Sequence, residues 1–262
     1  MSIFRFKRFE VRNEKSAMKV NTDGVLLGAT CPISTSFRKV LDIGTGTGTV
    51  ALMIAQRLEN ASCGIDIGQD INLKITGIDI DKDAAEEAAE NFAASYWANI
   101  LEARQQSLEE LRDEAESYDL IVSNPPYYDS SLTNPDAKKT IARHTDETGL
   151  SFREVLDFAG YHLTENGEVS IILPANQEKA LMRYATMNGL RLTNILRIKT
   201  IERKAYSRII ASFCKKHISH ESLNTYADST QQHDIERSLT IMKNGKYTDE
   251  YISLVKDFYL FA

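Results

Sequence analysis

The sequence lacks most of what marks a secreted, membrane-bound or metal-built protein. Three cysteines in 262 residues, Cys31, Cys63 and Cys214, are odd in number, widely separated and free of any Cys-x-x-Cys pair. That excludes a disulfide framework and points to a reducing compartment. The longest uninterrupted apolar run, Val50 to Ala55, is far too short for a bilayer. No apolar stretch beside the basic N-terminal residues can serve as a signal-peptide core. Repeats and low-complexity tracts are absent. What is there is ordinary for a globular chain, 42% hydrophobic and 26% charged residues, with enough length to bury its own core. The expectation is a cytoplasmic protein with no membrane contact and no obligate protein partner.

The net charge of −6 argues against a general nucleic-acid coat. Its distribution says more. Residues 1–19 carry Arg5, Lys7, Arg8, Arg12, Lys15 and Lys19 against two glutamates. Residues 197–216 carry Arg197, Lys199, Arg203, Lys204, Arg208, Lys215 and Lys216 against Glu202 alone, while residues 79–119 are acidic. Separate basic and acidic faces let a molecule take a polyanion on one side, although solvated surfaces give the same pattern.

Strands and helices alternate along the chain. Arg38 to Asp42 reads as a buried strand, followed by a Gly-rich turn and by Val50, Met53, Ile54 and Leu58 at helical spacing. Residues 59–72 read as a loop, Lys74 to Asp79 as a strand, and Lys82 to Trp97 as a helix. Further strands are expected at Ile100–Arg104, Tyr118–Ser123 and Val169–Leu173, with helices at 151–163 and 176–188. Leu190–Thr200 and Arg208–Cys214 follow one another without a helix, as an antiparallel hairpin would. The fold class is therefore α/β: a mostly parallel seven-stranded sheet, antiparallel at one edge, with helices on both faces. The chain divides into a basic N-terminal cap (1–37), a sheet core (38–214) and a C-terminal addition (215–262).

Asp42-Ile-Gly-Thr-Gly-Thr-Gly48 occupies the junction of first strand and first helix. Glycine there permits a tight turn and close approach of backbone to ligand, and the helix start offers unpaired N–H groups. The spacing is GxGxG after an aspartate. It is neither the GxGxxG of dinucleotide folds nor a turn followed by a phosphate-binding lysine. At the end of the second strand, Asp79 can accept from both hydroxyls of a ribose, whereas Asp81 is better placed to cap the next helix. Asp42, Gly44, Thr45, Gly46, Gly48 and Asp79 together define a pocket for an adenosine-bearing ligand.

Ser123-Asn-Pro-Pro-Tyr-Tyr128 after the fourth strand is the most informative stretch. Asn-Pro and Pro-Pro are turn signals anywhere, but on a sheet whose first turn is GxGxG they acquire a chemical reading. The amino nitrogen of a nucleobase is a poor nucleophile because its lone pair is delocalised into the ring. The Asn124 amide oxygen and a backbone carbonyl of Pro125-Pro126 can accept both of its N–H bonds, and two prolines pre-set that loop. Tyr127 can stack on the base. No general base is required when the leaving group is a neutral thioether.

These two motifs together resemble class I, Rossmann-like methyltransferases that act on planar amino groups. Three further stretches narrow the resemblance: Met18 to Gly28 within the run Phe9–Gly28, Ala142-Arg-His144, and Phe258 to Phe261. With them the sequence is similar, almost end to end, to the bacterial tRNA1(Val) adenine-37 N6-methyltransferases. The resemblance implies S-adenosylmethionine at Asp42–Gly48 and Asp79, and adenine of the tRNA anticodon loop at Asn124–Tyr127. It also implies a mouth at Lys19–Gly24, with Thr22 and Asp23 closing over the cofactor. Ser107 stands where relatives commonly carry an acidic residue that touches the cofactor's adenine. Lys19, Arg143, Arg203, Lys204 and Arg208 are the candidate RNA contacts.

Other targets remain open at this point. Ribosomal RNA and DNA bases suit the same chemistry. Protein glutamine methylation uses the same Asn-Pro-Pro-Tyr loop but with a separate N-terminal helical domain, for which this chain has no room. A non-catalytic RNA-binding module would not need both motifs intact. Cys214-x-x-His217-x-x-His220 offers only three potential ligands at a strand exit, so no metal is expected. His144 is read as an RNA contact or a solvated side chain, and Trp97 as packing.

Overall fold

The computed structural model describes residues 2–62, 67–70, 72–126, 150–216 and 235–262. Its centre is a nine-stranded sheet in the order β11-β10-β8-β9-β7-β6-β3-β4-β5. The strands are β3 (Lys39–Ile43), β4 (Lys74–Asp79), β5 (Leu101–Gln105), β6 (Tyr118–Ser123), β7 (Leu163–Pro174), β8 (Leu190–Ile201), β9 (Arg208–Lys215), β10 (Glu236–Lys243) and β11 (Lys246–Tyr247). Strands β3 to β7 are mutually parallel. The hairpin β8–β9 forms as expected, but β9 is not at the edge. It lies between β7 and β8, antiparallel to both.

The seven expected strands are extended by two more. β10 adds to β8 in parallel and β11 pairs with β10. Alternation of apolar and polar residues in Glu236–Lys243 is weak, and only Leu239 and Ile241 are buried there, which is why this strand was not legible. At the opposite edge, β5 is held by an ion-pair cluster in which Glu102 contacts both Lys74 and Arg104.

Successive side chains of a strand point to opposite faces, and the two cores divide accordingly. Val40, Leu120, Val122, Ile172 and Ile210 meet α1 (Thr22–Thr30) and α2 (Thr49–Ala61), with α3 (Lys82–Ala93) beside them. Leu41, Ile121, Ile171, Ile209 and Phe213 meet α5 (Phe152–His162) and α6 (Glu178–Met187) on the other face. Between β5 and β6 lies the short α4 (Leu108–Leu111), and α7 (Asp249–Val255) follows β11.

Capping residues set where helices start. Asp81 accepts from the Ala84 N–H at 2.8 Å, the role expected of it. Ser107 with Glu110, and Ser151 with Glu154, form reciprocal capping boxes. The third helix ends at Ala93, short of the expected Trp97. The indole is fully buried against Phe9, with the Arg8 guanidinium over its ring.

Beyond the sheet core, the two ends of the chain pack together. A hairpin, β1 (Ile3–Arg5) with β2 (Glu10–Arg12), precedes α1. Phe6 bridges to Tyr259 with stacked rings, the Lys7 N–H donates to the Phe258 carbonyl at 2.8 Å, and the Lys7 ammonium reaches the carbonyls of Lys256 and Ala262. Residues 217–234, including His217 and His220, lie outside the described residues. Among those described, no helix is long and apolar enough to cross a membrane, and no cluster of three metal-ligating side chains occurs.

Phe258 is buried at this junction with Phe6 and Tyr259. Phe258→Ala is expected to cost about 3 kcal/mol in urea unfolding and to speed proteolysis within residues 2–12. Unchanged protection of that segment would show that the C-terminal residues do not hold it.

Candidate active site

The site forms where parallel strands end, at the C-terminal edge of β3, β4 and β6. After β3 the backbone enters the left-handed region three times, at Gly44 (φ +71°), Gly46 (+56°) and Gly48 (+79°). Side chains rarely adopt those angles. A Cβ at Gly48 would also meet the Phe92 ring at 2.4 Å. The N–H groups of Gly44 and Thr45 both donate to the Ile78 carbonyl at 2.9 Å, which locks the turn to β4. Gly77 on β4 allows this approach, since a Cβ there would lie 2.6 Å from the Thr45 hydroxyl.

Two carboxylates brace the turn. Asp42 is 1% exposed and accepts the Thr45 hydroxyl at 2.7 Å. Burial pushes its carboxyl up to about 7, against the opposing pull of that hydroxyl. Asp79 accepts the Gly46 N–H at 2.9 Å with one oxygen and the Asp81 N–H at 3.0 Å with the other. Its carboxyl is also raised, again first by burial. Each oxygen of Asp79 keeps a lone pair for a ligand hydroxyl.

Ser123 closes β6 by donating to the Ile43 carbonyl at 2.9 Å, so the residue after it emerges beside the glycine turn. That residue, Asn124, is 9% exposed, and its amide nitrogen donates to the Met18 sulfur at 3.5 Å. Pro125 is buried and Pro126 exposed. A single narrow cleft is lined by Asp42, Gly44, Thr45, Gly46, Asn124 and the segment Met18–Asn21. Tyr127, Arg143 and His144 lie outside the described residues.

Other expected positions fall elsewhere. Lys19 lines the cleft through its segment, but its ammonium is tied to the Glu14 carbonyl. Thr22 and Asp23 start α1 and do not line the cleft; Asn21, which caps that helix by accepting the Gly24 N–H at 2.9 Å, and Gly24 do. Asp23 and Arg208 contact one another at 2.8 Å, joining α1 to the start of β9. Ser107 is engaged by Glu110 in its capping box. Arg203 and Lys204 are exposed in the turn between β8 and β9, at the end of the sheet where the site strands terminate.

Within the expected mouth at Lys19–Gly24 the lining residues are Asn21 and Gly24 rather than Thr22 and Asp23; Met18 as a lining residue, and Glu87 and Asn91 as supports of this wall, carry no expectation from the sequence. Asn21 followed by Asp23 and an apolar run is a recognisable helix start. Glu87, within an acidic stretch of α3, carries no signal that separates it from a solvated charge.

A doubly wound sheet whose first turn is a left-handed glycine loop over a buried carboxylate is the framework of class I methyltransferases. A family profile described as a methyltransferase domain matches residues 34–207. The tRNA1(Val) (adenine(37)-N6)-methyltransferase of Pseudoalteromonas translucida is 39% identical over 99% of both chains. The protein of the same name from Flavobacterium johnsoniae is 36% identical over 98% of this chain and 99% of its own. Among solved structures, a predicted O-methyltransferase from Agrobacterium tumefaciens superposes with a TM-score of 0.57 at 14% identity, covering 90% of this chain and 96% of that one. A putative RNA methyltransferase from Pyrococcus horikoshii gives 0.51 at 16%, covering 78% and 88%. The chain belongs to the tRNA1(Val) (adenine(37)-N6)-methyltransferase family of class I methyltransferases.

The raised carboxyl of Asp42 has a consequence for stability. Between about pH 4, an ordinary carboxylate value, and pH 7 the folded protein holds this proton more tightly than the unfolded chain. Unfolding then releases a proton, so Asp42 makes stability fall as pH rises through that window and level off above it. The melting temperature of the ligand-free protein is expected to carry this fall between pH 5 and 8, and Asp42→Asn to flatten it. An identical pH slope in the variant would assign the effect elsewhere.

Proposed function

We propose that this protein transfers a methyl group from S-adenosylmethionine to the exocyclic N6 of an adenine in tRNA, adenine 37 of tRNA1(Val). The observation that supports this most is the shared cleft: the glycine turn over Asp42 and the amide of Asn124 line the same narrow space. The relatives' names supply the substrate, and the site supplies the chemistry.

The residues present fit this donor. Gly44, Gly46 and Asp42 all line the cleft. Gly44, Thr45, Gly46 and Gly48 would hold the donor from below, and Asp79 would take its ribose hydroxyls. Asn21 and Gly24 face it from the opposite wall, in place of Thr22 and Asp23. Ser107, capped by Glu110, keeps an acceptor lone pair for the adenine edge. When bound, the donor supplies a methyl on a sulfonium whose departure leaves a neutral thioether.

Asn124 holds the substrate amine. Its side-chain oxygen accepts one N–H of the adenine amino group and a carbonyl of Pro125-Pro126 accepts the other. Two acceptors pull the nitrogen lone pair out of the ring and aim it into the cleft, a preorganised polar arrangement that needs no reorganisation during transfer. Tyr127, next in the loop, stacks on the base. The lone pair so presented would take the methyl group the donor supplies, and the surplus N6 proton would pass to water without a general base. Arg203 and Lys204 attract the RNA backbone at the same end of the sheet. Arg208, paired with Asp23, contributes through that pair to the wall of the cleft.

Asn124→Ala is expected to lower kcat by about 10³ while donor affinity stays within about twofold. Incorporation of labelled methyl into tRNA from cells lacking the gene, with nucleoside analysis, gives the first quantity, and calorimetry the second. Normal methylation by this variant would overturn the mechanism; methyl found at another nucleoside would overturn the substrate. The double variant Arg203→Glu/Lys204→Glu is expected to weaken tRNA binding and to reduce the salt slope of its affinity by about 1–2. An unaltered slope removes this turn from the interface.

A further inference from the structure

The segment that walls the cleft opposite Asn124 is held from behind by a buried charge. Glu87 on α3 is 1% exposed, yet its carboxylate makes no ion pair among the described residues. Instead it receives three successive backbone N–H groups. One oxygen accepts from Glu14 at 2.6 Å and Lys15 at 2.9 Å, and the other from Ser16 at 2.9 Å. A buried carboxylate is tolerated only when such donors meet it. One helical turn on, Asn91 is 2% exposed. Its oxygen accepts the Arg12 N–H at 2.7 Å, and its amide nitrogen donates to the carbonyls of Arg12 at 3.1 Å and Thr47 at 2.9 Å. The same helix face therefore grips both the N-terminal strap and the glycine turn.

The link continues into the cleft. Ser16, held by Glu87, donates its hydroxyl to the Met18 carbonyl at 3.1 Å. A Cβ at Gly46 would lie 3.4 Å from the Ser16 hydroxyl and 3.6 Å from the Met18 carbonyl, so the strap rests directly on the turn. Met18 in turn meets Asn124. A helix needs no buried glutamate to form or to pack, and an apolar side chain would fill the space while leaving the strap free to slide. Only a fork with two acceptors fixes its register.

Resting on the reading of this cleft as the methyl-donor site, we propose that Glu87 is a positioning residue for the reaction: its buried carboxylate fixes residues 14–16, and through them the Met18–Asn21 wall, against the glycine turn in the register that donor binding requires. Asn91 sets the same register from the turn side.

Glu87→Gln tests this, because the amide keeps the shape but turns a donor toward a backbone N–H. Binding of S-adenosylhomocysteine is measured by calorimetry without RNA, alongside amide hydrogen exchange of residues 14–18. The variant is expected to bind about tenfold more weakly, the equivalent of about one lost hydrogen bond, with faster exchange at Lys15 and Ser16. With saturating donor and tRNA its kcat should stay within about threefold of wild type. Leu156→Ala, in the opposite core, should lower the melting temperature without changing donor affinity. Glu87→Asp, which keeps the charge but shortens its reach, should fall between wild type and Glu87→Gln, and it carries the comparison if the latter does not fold. Affinity within twofold of wild type in a Glu87 variant whose strap exchanges faster would overturn the proposal. Failure of the wild-type protein itself to bind would instead overturn the donor-site reading on which it rests.

Discussion

The site depends on a backbone turn that is held in the left-handed region from two sides. Asp42 grips it through the Thr45 hydroxyl and Asp79 through the Gly46 N–H, while the Ile78 carbonyl takes two of its N–H groups. Each contact is short-range, and the partners sit at the ends of two neighbouring parallel strands, Asp42 on β3 and Ile78 with Asp79 on β4. Parallel strands of matched register bring them together, so the turn inherits the rigidity of the sheet. Asn124 arrives at the same place by the same device, one strand over, through Ser123 and Ile43.

That arrangement also explains why carboxylates of raised pKa border the cleft. Burial disfavours their charge, and the hydrogen bonds that oppose it are those that shape the turn. Asp42 is part of the cleft lining, so the acceptors that shape the turn also border the space beside it.

Much of this was legible in the sequence, for physical reasons that differ by element. The central strands and α2 announced themselves by continuous apolar runs and helical spacing, and the two motifs by glycine and proline chemistry that few backbones need. Asp81 was readable as a cap because an aspartate directly before a helix has one common use. The N-terminal helix is not evident from periodicity, although Asn21 caps it in a recognisable way, because its buried residues Gly24 to Ala29 run consecutively and leave no polar face. β10 stayed hidden because only two of its side chains are buried. Glu87 and Asn91 are not legible in the sequence: the backbone groups they meet lie between 44 and 79 residues away, and nothing local distinguishes them. Asn21 and Gly24 line the cleft where Thr22 and Asp23 do not, because Thr22 opens a helix whose cap, Asn21, faces the glycine turn.

The two flanks of the sheet carry a consequence for how the protein behaves in a crowded solution. Unpaired strand backbones are templates on which a neighbouring molecule can dock by hydrogen bonding. Here one flank ends in a strand of two residues, Lys246–Tyr247, which pairs with Met242 and Lys243 of β10, and the next carbonyls, of Ile241 and Thr240, are taken by the Thr248 N–H and hydroxyl. The other, β5, presents Glu102 and Arg104 with Lys74 beside them, so an incoming strand would have to dehydrate fixed charges. An incoming strand is thus resisted differently at the two ends, by carbonyls already taken beside β11 and by fixed charges along β5.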